Sequence, residues 1–124
     1  MPHLVLEYTD NLPDQPDFKQ LFSELHTALT GLEGIKLADI KSRAIRLSDW
    51  LVGDGASSHA FVHLKLHLID SRTDAFKQRA LAVLQPVLAR HYARSLAERD
   101  CQLCFEVIDI RGAFYAKTVS PSLN

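Results

Sequence analysis

Hydrophobic and polar residues alternate most regularly between Ala60 and Ile69. Within this range, alternate positions are Val62, Leu64, Leu66 and Leu68, and the positions between them and just before them are Phe61, His63, Lys65 and His67. Alternation with a period of two is typical of a β-strand that buries one face and exposes the other. The pattern therefore predicts a half-exposed strand in the middle of the chain.

A strand, a helix and a second strand are predicted ahead of it. The segment from Pro2 to Tyr8 is short and rich in apolar side chains, which favours a strand. Asp17 is a good N-cap for a helix that runs to about Thr30 and carries leucine and phenylalanine on one face. Glycines follow this helix, and the second strand is predicted from near Ile40 towards Leu51.

The same order of elements follows the central strand. A helix is predicted from Asp74 to about Glu98, with Pro86 inside it, where the missing N–H removes a hydrogen bond and favours a bend. The last strand is predicted from Leu103 to Ile110. The C-terminal segment, Arg111 to Asn124, shows no clear period and is expected to wrap over the surface or a neighbouring subunit.

Two strand–helix–strand units predict a two-layer α+β fold. The halves span residues 2–52 and 59–110 of one domain, residues 1–124. Because such a crossover joins parallel strands, the two units predict a four-stranded sheet with both helices on one face. The other face would lack cover, and two-layer domains of this kind commonly hide open faces and edges by forming oligomers.

The charge balance argues against nucleic acid or a membrane as a partner. The chain has 14 Lys and Arg residues against 15 Asp and Glu residues, so it lacks the basic excess of nucleic-acid-binding domains. No apolar run approaches the ~20 residues that span a bilayer. The first residues also lack the basic and apolar regions of a secretory signal, so we expect a cytoplasmic protein.

The cysteines and histidines do not predict a metal site. Cys101 and Cys104 have C-x-x-C spacing, but they fall on a predicted strand, and no second cysteine pair exists to complete a zinc site. His63 and His67 share a strand face about 13 Å apart, too far to bind one ion. Packing or surface roles are therefore favoured for these residues, and no metal is expected.

Several segments together resemble the tautomerase superfamily, in particular the 5-carboxymethyl-2-hydroxymuconate Δ-isomerases. They span nearly the whole chain: Met1-Pro2-His3 at the start of a strand, Ile40 to Arg43, Asp54-Gly55, Ala60 to Leu64, Arg72, and Phe105-Glu106. A Met-Pro start alone is common in proteins. Its combination with two strand–helix–strand units and the Ala-Phe-Val-His segment is much more specific.

The resemblance implies a homotrimer of β-α-β-β-α-β subunits that catalyses a 1,3-proton shift without a cofactor. The implied substrate is a small unsaturated 2-hydroxy or 2-oxo acid with two or three carboxylates, such as 5-carboxymethyl-2-hydroxymuconate. Pro2 matches the family's catalytic base once Met1 is removed, and Arg72 matches its arginine after the third strand. Lys41 stands where the family has a second substrate-binding arginine. A lysine cannot bind a carboxylate in the bidentate way of a guanidinium.

These residue types suit that chemistry. A base that returns the proton it takes works best with a pKa near the operating pH, and burial beside cations lowers the pKa of an α-amino group. Lys41 and Arg72 are expected to bind substrate carboxylates. Arg43, on the same strand face as Lys41, is a candidate for substrate binding or for an ion pair between strands or subunits. The aromatic residues expected to wall the pocket are Phe61 or the C-terminal pair Phe114 and Tyr115.

Two alternatives remain open. Lysine at position 41 is compatible with another reaction on the same scaffold, as in a phenylpyruvate-type tautomerase or in a hydratase or dehalogenase relative. A Met1 that stays attached makes the Pro2 nitrogen an amide, which cannot act as a base. That second case favours a catalytically silent trimeric binding protein.

Overall fold

The strands and helices follow the predicted order. The structure, a computed structural model, describes residues 1–121. Its strands are β1 (His3–Thr9), β2 (Lys41–Leu47), β3 (His59–Ile69) and β4 (Asp100–Ile110). Its helices are α1 (Phe18–Thr30), α2 (Asp74–His91) and α3 (Ala93–Glu98), with 3₁₀ turns at Leu37–Asp39 and Gly112–Phe114.

The four strands form one mixed sheet in the order β2-β1-β3-β4. β1 is parallel to β2, β3 is parallel to β4, and the two halves meet through the antiparallel pairing of β1 with β3. The predicted α+β architecture is confirmed. The two halves also begin alike, because the Lys41 N–H donates to the Pro2 carbonyl and the Asp100 N–H donates to the Ser58 carbonyl, both at 3.0 Å.

One face of the sheet packs against α1 and α2 to form the core. The alternate leucines and valine of β3 are buried, as predicted from their spacing. The helices bury side chains at three- and four-residue intervals: Leu21, Leu25 and Leu29 from α1, and Phe76, Ala80, Leu84, Val87 and Leu88 from α2. Full burial of a leucine stabilises the fold by about 1.5–3 kcal/mol, so these contacts decide which sheet face is covered.

The opposite face of the sheet carries charged side chains and histidines. The Glu7 carboxylate lies 2.9 Å from Lys65 Nζ and 3.9 Å from His63 Nδ1, and His63 Nε2 lies 2.7 Å from Glu106. Glu7, His63 and Lys65 are only about a quarter exposed. This face therefore combines paired charges with partial burial, which is unusual for a fully solvated surface.

The second helix differs from its prediction. It continues through the exposed Pro86 and breaks at Tyr92, whose φ of −113° and ψ of 27° leave the helical region. The break allows Tyr92 and Ser95 to be fully buried, while Leu96 is 43% exposed. The prediction of one helix to Glu98 was wrong because tertiary packing outweighed a local periodicity that continues through the break.

Two strand boundaries also differ. β2 ends at Leu47 rather than near Leu51, because β1 ends opposite it and an edge strand has no other partner in the sheet. β4 begins at Asp100 rather than Leu103, since it pairs with β3 from that strand's first residue. Of the C-terminal segment, residues 122–124 lie outside the described part. Within residues 1–121, no helix is long and apolar enough to cross a membrane.

The short helix α3 is capped by a distant loop. Its own N-cap residue, Tyr92, makes no capping hydrogen bond. Instead, the Asp14 carboxylate accepts hydrogen bonds from the N–H and the hydroxyl of Ser95, both at 2.7 Å. A carboxylate at the first turn satisfies free N–H groups and interacts favourably with the helix dipole. This contact ties the loop between β1 and α1 to α3.

Asp14→Ala should lower the free energy of unfolding by about 1–3 kcal/mol, because the buried Ser95 loses its acceptor. Urea denaturation measures the change. As a control, Asp49→Ala removes an exposed aspartate from the loop after β2 and should change stability by less than about 0.5 kcal/mol. Equal effects of the two substitutions would contradict the capping role of Asp14.

Candidate active site

A small cavity lies beside the N-terminal end of β1. Its volume is about 90 Å³. It is lined by the start of the chain, the segment between α1 and β2, the end of β3 and the loop after it: Met1, Pro2, Gly34, Ile35, Lys36, Asp39, Leu68, Ile69 and Arg72. The structure thus brings together Pro2 and Arg72, which lie 70 positions apart in the sequence.

Strand pairing places Pro2 at this cavity. His3 pairs with Lys41 on one side and with His67 on the other, so Pro2 lies next to the start of β2 and the end of β3. The Pro2 carbonyl accepts the hydrogen bond from the Lys41 N–H. Pro2 is buried and has no N–H of its own to satisfy, which suits the first position before a strand.

The guanidinium of Arg72 is held in place by the loop after α1. It donates hydrogen bonds to the Glu33 carbonyl at 3.0 Å and the Gly34 carbonyl at 3.1 Å. Its Cζ also lies 4.3 Å from the centre of the Phe76 ring, within the range of a cation–π contact. Because a guanidinium has five N–H donors and these contacts use only two, Arg72 keeps donors for an anion in the cavity.

Gly34 is required for this arrangement. Its φ of +80° lies in the left-handed region, and a Cβ at this position would meet Arg72 Nη1 and Nη2 at 3.0 Å. Glycine adopts this backbone conformation without strain and leaves room for the guanidinium. Gly34 was not among the predicted site residues, although a glycine after a helix is a common stop signal.

The amine at the start of the chain lies among charged groups. In the described chain it belongs to Met1, and Met1 N lies 4.0 Å from the Asp39 carboxylate. Burial is the main reason why the pKa of this amine is below its usual value, and Asp39 opposes the shift. Three cations lower the pKa further: Lys117, Lys41 and Arg72. These surroundings therefore favour the neutral form of this amine more than water does.

Asp39 connects these groups. Its side chain accepts a hydrogen bond from Lys117 Nζ at 3.2 Å, and its backbone carbonyl accepts one from Lys41 Nζ at 2.8 Å. The hydrogen bond from Lys117 and the nearby amine hold the pKa of the Asp39 carboxyl below its usual range, so it is ionised at neutral pH. Lys41 is exposed and turns back to its own loop rather than lining the cavity.

His3 links β1 to Arg43 and to the C-terminal segment. Arg43 Nη1 lies 3.3 Å from His3 Nδ1, and a guanidinium can only donate, so Nδ1 is the acceptor. His3 Nε2 then carries the proton and donates to the Tyr115 hydroxyl at 3.0 Å. Burial first, and then the cations Arg43 and Lys41, lower the pKa of His3, so the imidazole is neutral at pH 7.

The other predicted site residues lie elsewhere. Phe61 is near the start of β3, whereas Pro2 lies at the end of that strand, so roughly 20 Å separate them in one chain. Phe114 is 79% exposed and stacks with Arg111 instead of walling the cavity. Arg43 contacts His3 and is not part of the cavity lining.

Sequence reasoning missed three charged residues: Lys36, Asp39 and Lys117. Lys36 and Asp39 line the cavity, and Lys117 reaches it through Asp39. The clustering of Lys36, Asp39 and Lys41 just before and at the start of β2 is a signal that could have indicated the first two. Lys117 lies in a segment without periodicity, and only the folded chain shows its contact.

The cavity joins a desolvated amine position to a fixed guanidinium and further cations. Such a site suits the binding of a small anion and the movement of a proton next to it, since cations stabilise negative charge that develops on an oxygen. Comparison with known proteins agrees with this chemistry. The sequence matches the family described as 5-carboxymethyl-2-hydroxymuconate isomerase over residues 2–120.

A relative and two solved structures illustrate the match. The chain is 29% identical over 110 residues to a 5-carboxymethyl-2-hydroxymuconate Δ-isomerase of Escherichia coli, covering 89% of this chain and 87% of the relative. A 5-carboxymethyl-2-hydroxymuconate isomerase from Deinococcus radiodurans R1 has a TM-score of 0.86 and 36% identity, covering 96% of this chain and 90% of that one. A fused 4-OT symmetric trimer, with a TM-score of 0.63, 17% identity and coverage of 86% and 85%, shares the fold.

Gly34→Ala should lower the free energy of unfolding by about 1–3 kcal/mol, because alanine is strained at this φ and its Cβ displaces the Arg72 guanidinium. Gly31→Ala is the matched control. Gly31 has a helical φ of −69°, and a Cβ there meets only the Ala28 carbonyl at 3.5 Å, so its replacement should be neutral or slightly stabilising. Urea denaturation of both variants tests the difference, and similar losses would argue against the steric role of Gly34.

Proposed function

Because the chain belongs to the 5-carboxymethyl-2-hydroxymuconate isomerase family and is an isomerase of the tautomerase superfamily, we propose that it catalyses a 1,3-proton shift on an unsaturated carboxylated 2-hydroxy or 2-oxo acid. The compound named in its relatives, 5-carboxymethyl-2-hydroxymuconate, is the first substrate to assay. The observation that carries the proposal is the cavity shared by Pro2 and Arg72.

Pro2 is the proposed base. After removal of Met1, its nitrogen is a secondary amine that the ring holds rigid. Pro2 is buried between the start of β2 and the end of β3. The amine takes a proton from the first atom of a three-atom unit of the substrate and becomes an ammonium. It then returns that proton to the third atom of the same unit. The double bond moves by one position and no electrons leave the substrate, so the step needs no redox partner.

Arg72 is the proposed carboxylate ligand. Its guanidinium is fixed by two carbonyls and by the Phe76 ring, so little freedom is lost when it binds an anion. A carboxylate there places the rest of the substrate near the Pro2 nitrogen. The positive charge also stabilises the dienolate that forms when the proton leaves. Lys41 donates to the Asp39 carbonyl and has two further N–H donors for a second carboxylate.

The proposed active form is a homotrimer. The fused 4-OT proteins with this fold are described as trimers. In this chain, the face of the sheet that carries Glu7, His63 and Lys65 is half-buried and its charges are paired, which suits contact with other copies. Phe61, which is far from Pro2 in one chain, is a candidate to reach a neighbouring copy's site in such an assembly.

Pro2→Ala should lower kcat/KM by about 10²–10⁴-fold, because a flexible primary amine replaces the rigid secondary amine of the base. A coupled spectrophotometric assay with 5-carboxymethyl-2-hydroxymuconate measures the effect. As the control, Pro86→Ala replaces an exposed proline within α2 and should leave kcat/KM within about twofold.

Labelling of the N-terminus also tests whether the free Pro2 amine is the base. A 3-halopropiolate, which adds to a nucleophilic amine, should inactivate the wild-type enzyme and leave its adduct on Pro2 in peptide maps. Full activity in a chain that retains Met1 would contradict the proline mechanism. An unlabelled Pro2 in an inactive protein would favour the silent binding protein instead.

Arg72→Ala should raise KM about 10- to 100-fold, since one charge-assisted contact with a carboxylate is lost. The control is Arg79→Ala. Arg79 also lies near the Phe76 ring, with its Cζ 5.7 Å from the centre, but it binds the Glu33 carboxylate and is not part of the cavity lining. Steady-state kinetics should show less than a twofold change for Arg79→Ala, and an equal rise in both variants would argue that Arg72 acts only through the fold.

A further inference from the structure

We propose that Asp39 is a positioning residue for the N-terminal amine, and that Lys117 moderates its effect by sharing the Asp39 carboxylate with that amine. The proposal deepens the proposed function and rests on it, because the amine is the proposed base. Asp39 touches neither the reacting atoms nor a substrate carboxylate in this scheme. It acts by adjusting the charge around the amine.

The geometry places Asp39 between two cations. Its Oδ2 lies 4.0 Å from the free amine of the described chain, and its Oδ1 accepts the hydrogen bond from Lys117 Nζ. Asp39 closes the 3₁₀ turn Leu37–Asp39, directly before β2, so its backbone position is fixed relative to β1. Asp39 and Pro2 line the same cavity, so the proposal extends this contact from the Met1 amine to the Pro2 amine that removal of Met1 exposes.

Among residues 1–121, every other charged group near the amine of the described chain is a cation or a neutral histidine. Lys36 comes from the segment before the turn, Lys41 from β2, and Arg72 from the loop after β3. Lys117 comes from the C-terminal segment, and the neighbouring His3 is neutral at pH 7. Asp39 is thus the only carboxylate among these groups, and the protonation of the amine depends on it.

Lys117 makes this effect depend on the C-terminal segment. The segment is attached to the site at two points, through the Lys117–Asp39 hydrogen bond and through the Tyr115 hydroxyl on His3. While Lys117 is bound, it adds a positive charge near the amine and shares the Asp39 carboxylate. When Lys117 is removed, the amine gains the full attraction of Asp39 and loses a repulsive cation.

Asp39→Asn and Lys117→Gln should therefore shift the pKa of the amine in opposite directions. Asp39→Asn keeps the size and an acceptor for Lys117, but it removes the charge that favours the ammonium, so the pKa of the amine should fall. Lys117→Gln should raise that pKa. NMR titration of protein labelled with [¹⁵N]proline measures the Pro2 nitrogen directly, since the other four prolines are amides.

The acid limb of the kcat/KM profile should move with these values, because the base acts only when deprotonated. It should move to lower pH in Asp39→Asn and to higher pH in Lys117→Gln. The matched controls, Glu98→Gln and Arg94→Gln, neutralise the members of the exposed Arg94–Glu98 pair on α3 and should leave the titration unchanged. If Asp39→Asn fails to fold, the upward shift in Lys117→Gln still tests the proposal.

Unmoved titrations, or shifts of both variants in the same direction, would overturn the role of Asp39 and leave the Pro2 mechanism intact. Opposite shifts in a protein that does not turn over the muconate would support Asp39 while the proposed reaction fails. The titration does not depend on turnover, so the two failures are distinguishable.

Discussion

The antiparallel pairing of β1 with β3 is the contact on which the site depends. Each half of the chain supplies only a parallel strand pair and its helices, and neither half holds all parts of the cavity. Pro2 and Asp39 come from the first half, and Arg72 comes from the second. Because β1 and β3 run in opposite directions, the start of β1 lies against the end of β3. The loop that follows β3 therefore reaches Pro2, and the buried alternate leucines of both strands keep this register.

The end of the sheet farther from Pro2 carries a different set of polar and charged groups. There, Ser58 takes the place that Pro2 has before β1, as the matching backbone hydrogen bonds from Asp100 and Lys41 show. The Ser58 hydroxyl donates to Asp100 at 2.6 Å, and His59 lies 3.0 Å from Asp54. Asp54 and Asp100 lie at this end together with Arg99, which donates to the Ser57 carbonyl. The Pro2 end instead places Arg72, Lys36 and Asp39 around one cavity, so the two ends of the repeated architecture present different groups.

Local periodicity predicted those parts of the fold that local burial determines. The alternation from Ala60 to Ile69 identified both the strand and its buried face, and Asp17 marked the start of α1 because its carboxylate accepts from the Lys19 and Gln20 N–H groups. The break at Tyr92 could not be predicted, since it depends on packing and on a cap from Asp14, 81 positions before Ser95. In the site, Pro2 and Arg72 were identified through the family resemblance. The contact between Asp39 and Lys117 was missed because it joins residues 78 positions apart, and Lys117 belongs to no local pattern.

The lysine at position 41 changes how the cavity can hold a substrate. An arginine at the start of β2 would offer a planar pair of donors with a fixed geometry. Lys41 has a flexible stem, and its ammonium is already bound to the Asp39 carbonyl at 2.8 Å. Its other two N–H donors remain for a second carboxylate, but without the fixed geometry of a guanidinium. Arg72, by contrast, is fixed in the cavity with donors free. In the proposed function, Arg72 therefore offers one carboxylate a fixed pair of donors, whereas Lys41 offers a second carboxylate a single flexible charge.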